Sequence, residues 1–293
     1  MREIEGYSIM VTWVSAMKFK ITTLSENHVA PSGKNLIAEH GLSFYIAAGK
    51  RRILFDTGQN LAITHNAEVL DIDLSKIDAV VLSHGHYDHT GGLKSLLTCN
   101  CSCRLYAHPD VFSPKVKAKD TNYKYIGIPI KKDYIEERVL DLRLSKTSEE
   151  IAPGIKTSGE IPLKNDFEQV ESGFYTKNGN QIYPDILADD QALILESNQG
   201  TVVLLGCSHR GVINTLTHVV SLTGKSQIHC ILGGLHLGKA SDRKLKKIID
   251  KLREFDIDKI GVGHCTGIRA FIALSNAFKE NVFFNYVGNV MEF

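Results

Sequence analysis

The amino-acid sequence predicts an α/β fold made of two similar halves, and three observations lead to this prediction. Short apolar segments typical of strands alternate with amphipathic segments typical of helices along both halves. Histidines follow the ends of apolar segments in both halves. The 43% hydrophobic and 23% charged content is that of an ordinary globular protein, so 293 residues can enclose a large core.

In the first half, three strands are followed by a helix, a strand, a second helix and a last strand. Lys50 and Arg51 are predicted to form a turn between the second and third strands, and Asp56-Thr57-Gly58 ends the third. The predicted elements are strands Phe19–Leu24, Leu42–Ala48 and Arg52–Phe55, helix Asn60–Leu70, strand Ala79–Leu82, helix Gly92–Leu97 and strand Arg104–His108.

The second half begins with a predicted hairpin whose turn is Asn198-Gln199-Gly200. Helices and strands then alternate, and Ser241 is the expected N-cap of an amphipathic helix. The predicted elements are strands Ala192–Glu196 and Thr201–Leu205, helix Val212–Leu222, strand Ile228–Leu232, helix Ser241–Phe255, strand Ile260–Val262 and helix Ile268–Ala277.

The expected organisation is an N-terminal extension over residues 1–16 and one domain over 17–293, because Met17 leads directly into the first strand. A lid-like inserted segment, about 111–190, separates the halves. Within it, Lys115 to Lys132 contains six lysines but only one acidic residue, Asp120. Two interpretations remain open: a solvated face, or an entrance that attracts an anionic substrate.

Overall charge and cysteine content limit the class of protein. The formal net charge of +1 favours neither nucleic acid nor an anionic membrane as a partner. No apolar run approaches the ~20 residues needed to span a bilayer. The six cysteines are too sparse for a disulfide scaffold, so we expect a reduced, cytoplasmic protein. The sequence leaves the oligomeric state open.

The most informative segment is His84-Gly85-His86-Tyr87-Asp88-His89, which directly follows an apolar strand. His84 and His86 are two residues apart, so their side chains point to the same side of an extended segment. Imidazole and carboxylate together suit zinc, iron or manganese. The sequence therefore predicts a metal site at a strand end.

This motif resembles the His-x-His-x-Asp-His hallmark of the metallo-β-lactamase superfamily. The resemblance implies a four-layer αββα sandwich with a dinuclear hydrolase site. In the second half, His209 and His264 each follow an apolar strand and stand close to glycines. By the resemblance, His84, His86 and His209 would bind one metal ion, and Asp88, His89 and His264 the other. Zinc is the first expectation for both ions, with iron or manganese as alternatives.

The sequence departs from the superfamily pattern at two positions. Pro153–Glu160, where the first ligand histidine of the second half is expected, contains no histidine, so His209 is the candidate substitute. Cys207 occupies the strand end where a bridging aspartate is expected. A thiolate can bind metal, and a buried inert cysteine is an equal alternative.

Further segments resemble a branch of metal-dependent hydrolases that includes the dihydropterin–ribofuranosylaminobenzene phosphate synthases. Those enzymes join an aromatic amine to a pterin-methyl diphosphate and release pyrophosphate. The segments are Glu39–Ser43, Phe55–Gly58, Tyr125–Pro129, Gly159–Pro162, Asp189–Leu193, Gly206–His209 and Gly233–Leu237. The resemblance implies a small anionic, phosphorylated substrate, acted on by a hydrolase or by a diphosphate-releasing transferase.

Four residues near the expected ligands have predicted roles of their own. Asp88 is the candidate catalytic residue, because it can bind a metal and also accept a proton. Asp56 is expected to orient a ligand histidine. His40 and His236 are candidates for substrate contact, with a purely structural role as the alternative.

Three alternative functions remain open. The first is a di-iron or iron–sulfur redox protein, which Cys99, Cys101 and Cys103 suggest, although their spacing fits a cluster poorly. The second is a nuclease, which the near-zero net charge disfavours. The third is a non-catalytic sensor that keeps the metals in order to bind a small molecule.

Overall fold

The computed structural model describes residues 18–30, 35–99, 102–119 and 122–293. The predicted extension 1–16, Cys101 and Asp120 therefore lie outside the described residues. Eighteen strands are numbered in chain order: β1 (Phe19–Ser25), β2 (Ser43–Ala48), β3 (Arg51–Phe55), β4 (Ala79–Val81), β5 (Arg104–Ala107), β6 (Lys115–Lys119), β7 (Asn122–Tyr125), β8 (Asp141–Leu144), β9 (Glu150–Ala152), β10 (Ile155–Thr157), β11 (Phe174–Asn178), β12 (Gln181–Pro184), β13 (Ala192–Ser197), β14 (Gly200–Leu205), β15 (Gln227–Gly233), β16 (Asp256–Val262), β17 (Val282–Phe284) and β18 (Val290–Glu292).

Seven α-helices connect these strands: α1 (Ala62–Val69), α2 (Tyr87–Thr90), α3 (Leu93–Thr98), α4 (Lys132–Glu136), α5 (Val212–Thr223), α6 (Asp242–Leu252) and α7 (Ile268–Phe278). Ser241 is the N-cap of α6, since its hydroxyl accepts a hydrogen bond from the Lys244 amide at 3.2 Å. No helix in the described part of the chain has the length and apolar character that crossing a bilayer requires.

Two seven-stranded sheets form the centre of the fold. The first sheet has the strand order β18-β1-β2-β3-β4-β5-β8, and the second has the order β17-β16-β15-β14-β13-β10-β9. Their facing sides share one buried core, in which Phe44 and Ile46 of β2 belong with Leu193 and Leu195 of β13. Successive residues of a strand point to opposite faces, so Leu193 and Leu195 lie in this core while Ile194 lies in the core on the other side of the sheet.

Helices cover the outer face of each sheet. Leu93 and Leu96 of α3 pack with strands of the first sheet. Leu216 of α5, Leu245 of α6 and Leu274 of α7 pack with the second sheet. The predicted α/β class and the four-layer αββα arrangement are therefore confirmed, and the predicted elements outside 111–190 occur with ends shifted by no more than four residues.

The segment 111–190 contributes to all three sheets. Strands β6, β7, β11 and β12 form a separate four-stranded antiparallel sheet in the order β12-β11-β6-β7. Strands β8, β9 and β10 extend the edges of the two large sheets. Periodicity predicted none of these strands, because they are short and several are exposed on both faces. The lid-like role of the segment stays a prediction.

Candidate metal centre

Five loops that follow parallel strands meet at one edge of the sandwich. Strands β3 and β4 run parallel in the first sheet, and β14, β15 and β16 run parallel in the second. Side chains beyond the carboxyl ends of such strands converge on a shared crevice. The predicted site residues on these loops are Asp56 after β3, His84, His86, Asp88 and His89 after β4, Cys207 and His209 after β14, His236 after β15 and His264 after β16.

The first ligand cluster, which we define as His84, His86 and His209, brings three ring nitrogens together. His84 Nε2 lies 2.9 Å from His86 Nδ1, and His209 Nε2 lies 3.2 Å from the same atom. Burial lowers the pKa of all three imidazoles well below the usual value, so each ring is neutral. A neutral imidazole carries one proton and one lone pair, which is the form that binds a metal ion.

The second ligand cluster, which we define as Asp88, His89 and His264, includes a carboxylate. His89 Nε2 lies 3.2 Å from His264 Nε2 and 3.9 Å from Asp88 Oδ2. Asp88 Oδ2 also lies 3.4 Å from His264 Nε2. One oxygen and two nitrogens therefore face a common point.

Oxygen atoms behind the second cluster fix the orientation of its rings. Asp56 Oδ2 lies 2.7 Å from His89 Nδ1, and Asn27 Oδ1 lies 2.9 Å from His264 Nδ1. Each contact leaves Nε2 of the ring directed into the cluster. Burial opposes charge on His89, but Asp56 and Asp88 outweigh it and raise the pKa of this imidazole to about 9. Burial likewise opposes ionisation of Asp88, yet the neighbouring histidines hold its pKa well below the usual value.

Both clusters fit divalent metal ions by their donor atoms. In the first cluster, Nε2 of His84 and Nε2 of His209 both approach Nδ1 of His86, so three neutral rings bring their nitrogens to one point. Asp88, with its low pKa, adds a negative charge to the second cluster. Imidazole and carboxylate donors of this kind suit zinc, manganese or iron. The structure brings all six predicted ligands together, and their role in binding metal stays a prediction.

Cys207 lies between the two clusters. Its Sγ is 3.1 Å from His89 Nε2. It forms donor groups with His84 and His209 on one side and with His89 and His264 on the other, each with its atoms within 4.8 Å of one another. The preceding residue, Gly206, allows the Cys207 loop to pass close to Ser83, because a Cβ at position 206 would lie 2.1 Å from Ser83 Oγ.

A cavity of about 400 Å³ opens directly above the clusters. His40 lines it with its side chain about half exposed, and His40 Nε2 lies 3.2 Å from Asp88 Oδ2. His236 lines it as well, and its Nε2 lies 3.0 Å from Glu171 Oε2. All ten residues predicted from the sequence therefore lie at or beside this cavity.

The lysines of the 111–190 segment divide into two groups. Lys115 is buried, and its Nζ lies 2.8 Å from Asp189 Oδ1 and 3.1 Å from Asp185 Oδ2, so it belongs to an internal ion pair. Lys117 and Lys124 line the cavity instead. Lys117 Nζ sits 4.4 Å from the centre of the Phe174 ring, and Phe174 stacks on His86 at 5.3 Å.

Backbone strain is concentrated at this edge of the sandwich. Asp56, Ser208, His236 and His264 all have positive φ angles, between 49° and 61°. For residues other than glycine, such conformations cost about 1–3 kcal/mol each and persist where surrounding contacts impose them. Their occurrence at four of the strand ends around one cavity is typical of a functional site.

Several residues of the site were missed by the sequence analysis. Cys265 follows His264 directly, and that adjacency was a usable signal. Asn27 and Glu171 lie in irregular loops, and Phe174 lies in an unpredicted strand, so no local pattern marked them. Cys99 is exposed and Cys103 is buried; the predicted cluster of three cysteines has its middle member outside the described residues.

The fold and site define a class of proteins: αββα sandwiches with histidine and carboxylate groups at converging strand ends. The model of the family described as the metallo-beta-lactamase superfamily matches residues 36–264. The chain therefore belongs to the metallo-β-lactamase superfamily, as the sequence predicted.

Individual relatives cover nearly the whole chain. It is 32% identical, over 94% of its length and 96% of the relative's, to the 7,8-dihydropterin-6-methyl-4-(beta-D-ribofuranosyl)-aminobenzene-5'-phosphate synthase of Methanocaldococcus jannaschii. Its structure is also similar to that of Tm1679, described as a metal-dependent hydrolase of the β-lactamase superfamily. That match has a TM-score of 0.80 and 27% identity, and covers 93% of this chain and 98% of the other.

Proposed function

We propose that the protein is a dinuclear metal-dependent enzyme that acts on a small, anionic, phosphorylated substrate, with zinc as the expected metal. The observation that carries this proposal is the arrangement of two converging donor clusters beneath a cavity with lysines on its wall. A cavity of about 400 Å³ suits a small molecule. Superfamily membership supports an enzymatic role.

Two metal ions bound at the clusters would polarise a phosphoryl oxygen and supply a nucleophile near neutral pH. Asp88 would orient the attacking group, because its Oδ2 faces both the second cluster and His40. The half-exposed His40 would accept the proton of the attacking group and release it into the cavity.

Lysine side chains from the four-stranded sheet would hold the anionic part of the substrate. Lys117 on β6 and Lys124 on β7 enter the cavity from neighbouring strands. Their ammonium groups act as point charges that attract phosphate. Phe174 keeps Lys117 and His86 at a fixed spacing, because it contacts both of them.

A diphosphate-releasing transferase of the pterin type is the second candidate. The 32% identity to a synthase whose product combines a dihydropterin and an aminobenzene phosphate favours this reaction. The same ligands would then hold the metal ions that, together with the lysines, bind the diphosphate leaving group. The two candidates differ in whether an amine acceptor is required.

The test combines metal analysis with product analysis. Wild type and His86→Ala are compared for metal content and for turnover of phosphate esters and diphosphates, with and without an aromatic amine. We expect about two metal ions in the dinuclear centre of each wild-type chain, fewer in the variant, and loss of turnover in the variant. Release of pyrophosphate only when the amine is present would assign the transferase, and release without it would assign the hydrolase.

His229→Ala is the matched control, because His229 is paired with Asp258 at 2.8 Å and lies on β15 outside the cavity. It should retain both metal and turnover. Turnover that survives in metal-free wild type, or in a folded His86→Ala protein, would contradict the proposal.

A further inference from the structure

A third group of donor atoms lies beside the two ligand clusters. Cys207 Sγ, Cys265 Sγ and a ring nitrogen of His236 lie within 4.8 Å of one another. We define these three residues as the thiol cluster. They come from the loops that follow β14, β16 and β15 respectively. Cys265 and Cys207 both line the cavity, so the cluster is accessible from it.

His236 is held by an oxygen atom at one ring nitrogen, as the histidines of the second cluster are. Its Nε2 lies 3.0 Å from Glu171 Oε2, whereas His89 and His264 are held at Nδ1, by Asp56 and Asn27 respectively. Its Nδ1 is buried without a hydrogen-bond partner in the described part of the chain. A ring held by a carboxylate at one nitrogen, with the other nitrogen unpaired, is the usual arrangement of a metal-binding histidine.

The backbone around Cys265 is shaped to hold a sulfur atom at this position. The His236 amide donates a hydrogen bond to Cys265 Sγ at 3.3 Å. A Cβ at Gly234 would lie 2.6 Å from the same sulfur, so any larger residue there would displace it. The sulfur is therefore positioned by a close backbone approach as well as by its own side chain.

We propose that Cys207, Cys265 and His236 bind an additional thiophilic metal ion, such as zinc, which shares the Cys207 thiolate with the dinuclear centre. Two thiolates and one imidazole are a donor set that zinc prefers. Zinc normally takes about four ligands, so one position on this ion would face the cavity. This site goes beyond the proposed function, which requires only the first and second clusters.

Cadmium is a suitable probe, because its bonds to thiolates absorb in the ultraviolet. Metal-free wild type in reducing buffer is titrated with Cd²⁺ while bound metal and ultraviolet absorbance are measured. We expect wild type to bind one ion more than Cys265→Ser or His236→Gln. We also expect Cys265→Ser to lose about half of the thiolate absorption, since one of two sulfur ligands is removed.

Two variants serve as matched controls. Cys230→Ser removes a buried thiol on β15, and His229→Gln removes another carboxylate-paired histidine with an unpaired ring nitrogen. Both should bind as many ions as wild type. Equal stoichiometry and equal absorption in wild type and Cys265→Ser would overturn the proposal, as would a Cys207–Cys265 disulfide that persists in the reducing buffer.

The same titration of His86→Ala separates this proposal from the proposed function. A folded His86→Ala protein should lose an ion of the dinuclear centre and keep the thiolate absorption. If wild type shows that absorption but no turnover on any phosphorylated substrate, the thiol cluster stands and the proposed function fails. If His86→Ala loses the absorption although its fold is intact, the additional site is refuted.

Discussion

The two ligand clusters lie side by side, but they are held in place by different forces. In the second cluster, Asp56 and Asn27 accept hydrogen bonds that fix which ring nitrogen faces the metal position. In the first cluster, His86 Nε2 and His209 Nδ1 have no hydrogen-bond partner among the described residues. These rings are positioned by packing against Phe174 instead. We therefore expect the two clusters to differ in metal affinity, with the second cluster binding its metal ion more tightly.

The largest expected effect is the loss of a ligand from the more tightly binding cluster. His264→Ala should weaken the tighter of the two binding events that belong to the dinuclear centre by more than about 100-fold, because a direct ligand matters more than its hydrogen-bonded support. His209→Ala should abolish only the weaker event. Equilibrium dialysis against a series of zinc concentrations would measure the dissociation constants of both binding events. If His209→Ala removes the tighter event, the first cluster binds zinc more tightly than the second, contrary to this prediction.

A smaller effect is expected when the support behind the second cluster is changed. Asp56→Asn keeps the size of the side chain. The new amide presents either its nitrogen or an uncharged oxygen to His89, depending on its orientation. We expect the tighter binding event to weaken by about 10–100-fold while the weaker one stays unchanged. Asp56 also binds Ser83, so circular dichroism must show an intact fold in the variant. Equal weakening of both binding events would mean that Asp56 supports both ligand clusters.

The packing beside the first cluster also offers a test through the substrate. Lys117→Gln should raise KM for a phosphorylated substrate by up to about tenfold, as expected for loss of one exposed charge–phosphate contact, and should leave kcat nearly unchanged. Lys131→Gln removes a lysine of the same segment that lies outside the cavity, so its KM should match that of wild type. A fall in kcat with unchanged KM would instead place Lys117 in the chemical step.

The last prediction concerns stability rather than binding, in the loop that carries His209. Asp190 Oδ2 accepts a hydrogen bond from the Arg210 amide, and burial raises the pKa of this carboxyl to about 7. The folded protein thus keeps a proton that the unfolded chain loses near pH 4. As pH rises from about 4 to 7, this group should reduce the unfolding free energy by up to about 1.4 kcal/mol per pH unit.

Asp190→Asn should remove that pH dependence. The unfolding free energy of the variant minus that of wild type should increase between about pH 4 and 7 and level off above pH 7. Urea denaturation at a series of pH values would measure the difference. A difference that stays constant over this range would show that Asp190 is ionised throughout.

Much of the site could be predicted because its signals are local. The six consecutive positions after an apolar strand include His84, His86, Asp88 and His89. Their ring and carboxylate directions follow from the turn into α2, which needs little information from elsewhere in the chain. Nine of the eighteen strands and five of the seven helices in the described part of the chain were predicted for the same reason, since periodicity and N-caps are read within a few residues.

The segment 111–190 shows where such reasoning failed. Lys115 and Lys117 are two residues apart in one run of lysines, yet one is buried in an ion pair and the other lines the cavity. The difference depends on Asp185 and Asp189, about 70 residues away in the chain. No local pattern records such a partner, so the sequence left a solvated face and a substrate entrance as equal interpretations.

Periodicity and one compact motif in the sequence were enough to predict the α/β class, the superfamily and the residue types that could bind metal. Which of these residues meet depends on the tertiary structure. It brought His209 to within 3.2 Å of His86, a residue 123 positions earlier, and it placed Cys265 and His236 around Cys207, with Glu171 beside His236. The physical reason is that packing two sheets face to face makes neighbours of strand ends that lie far apart in the chain.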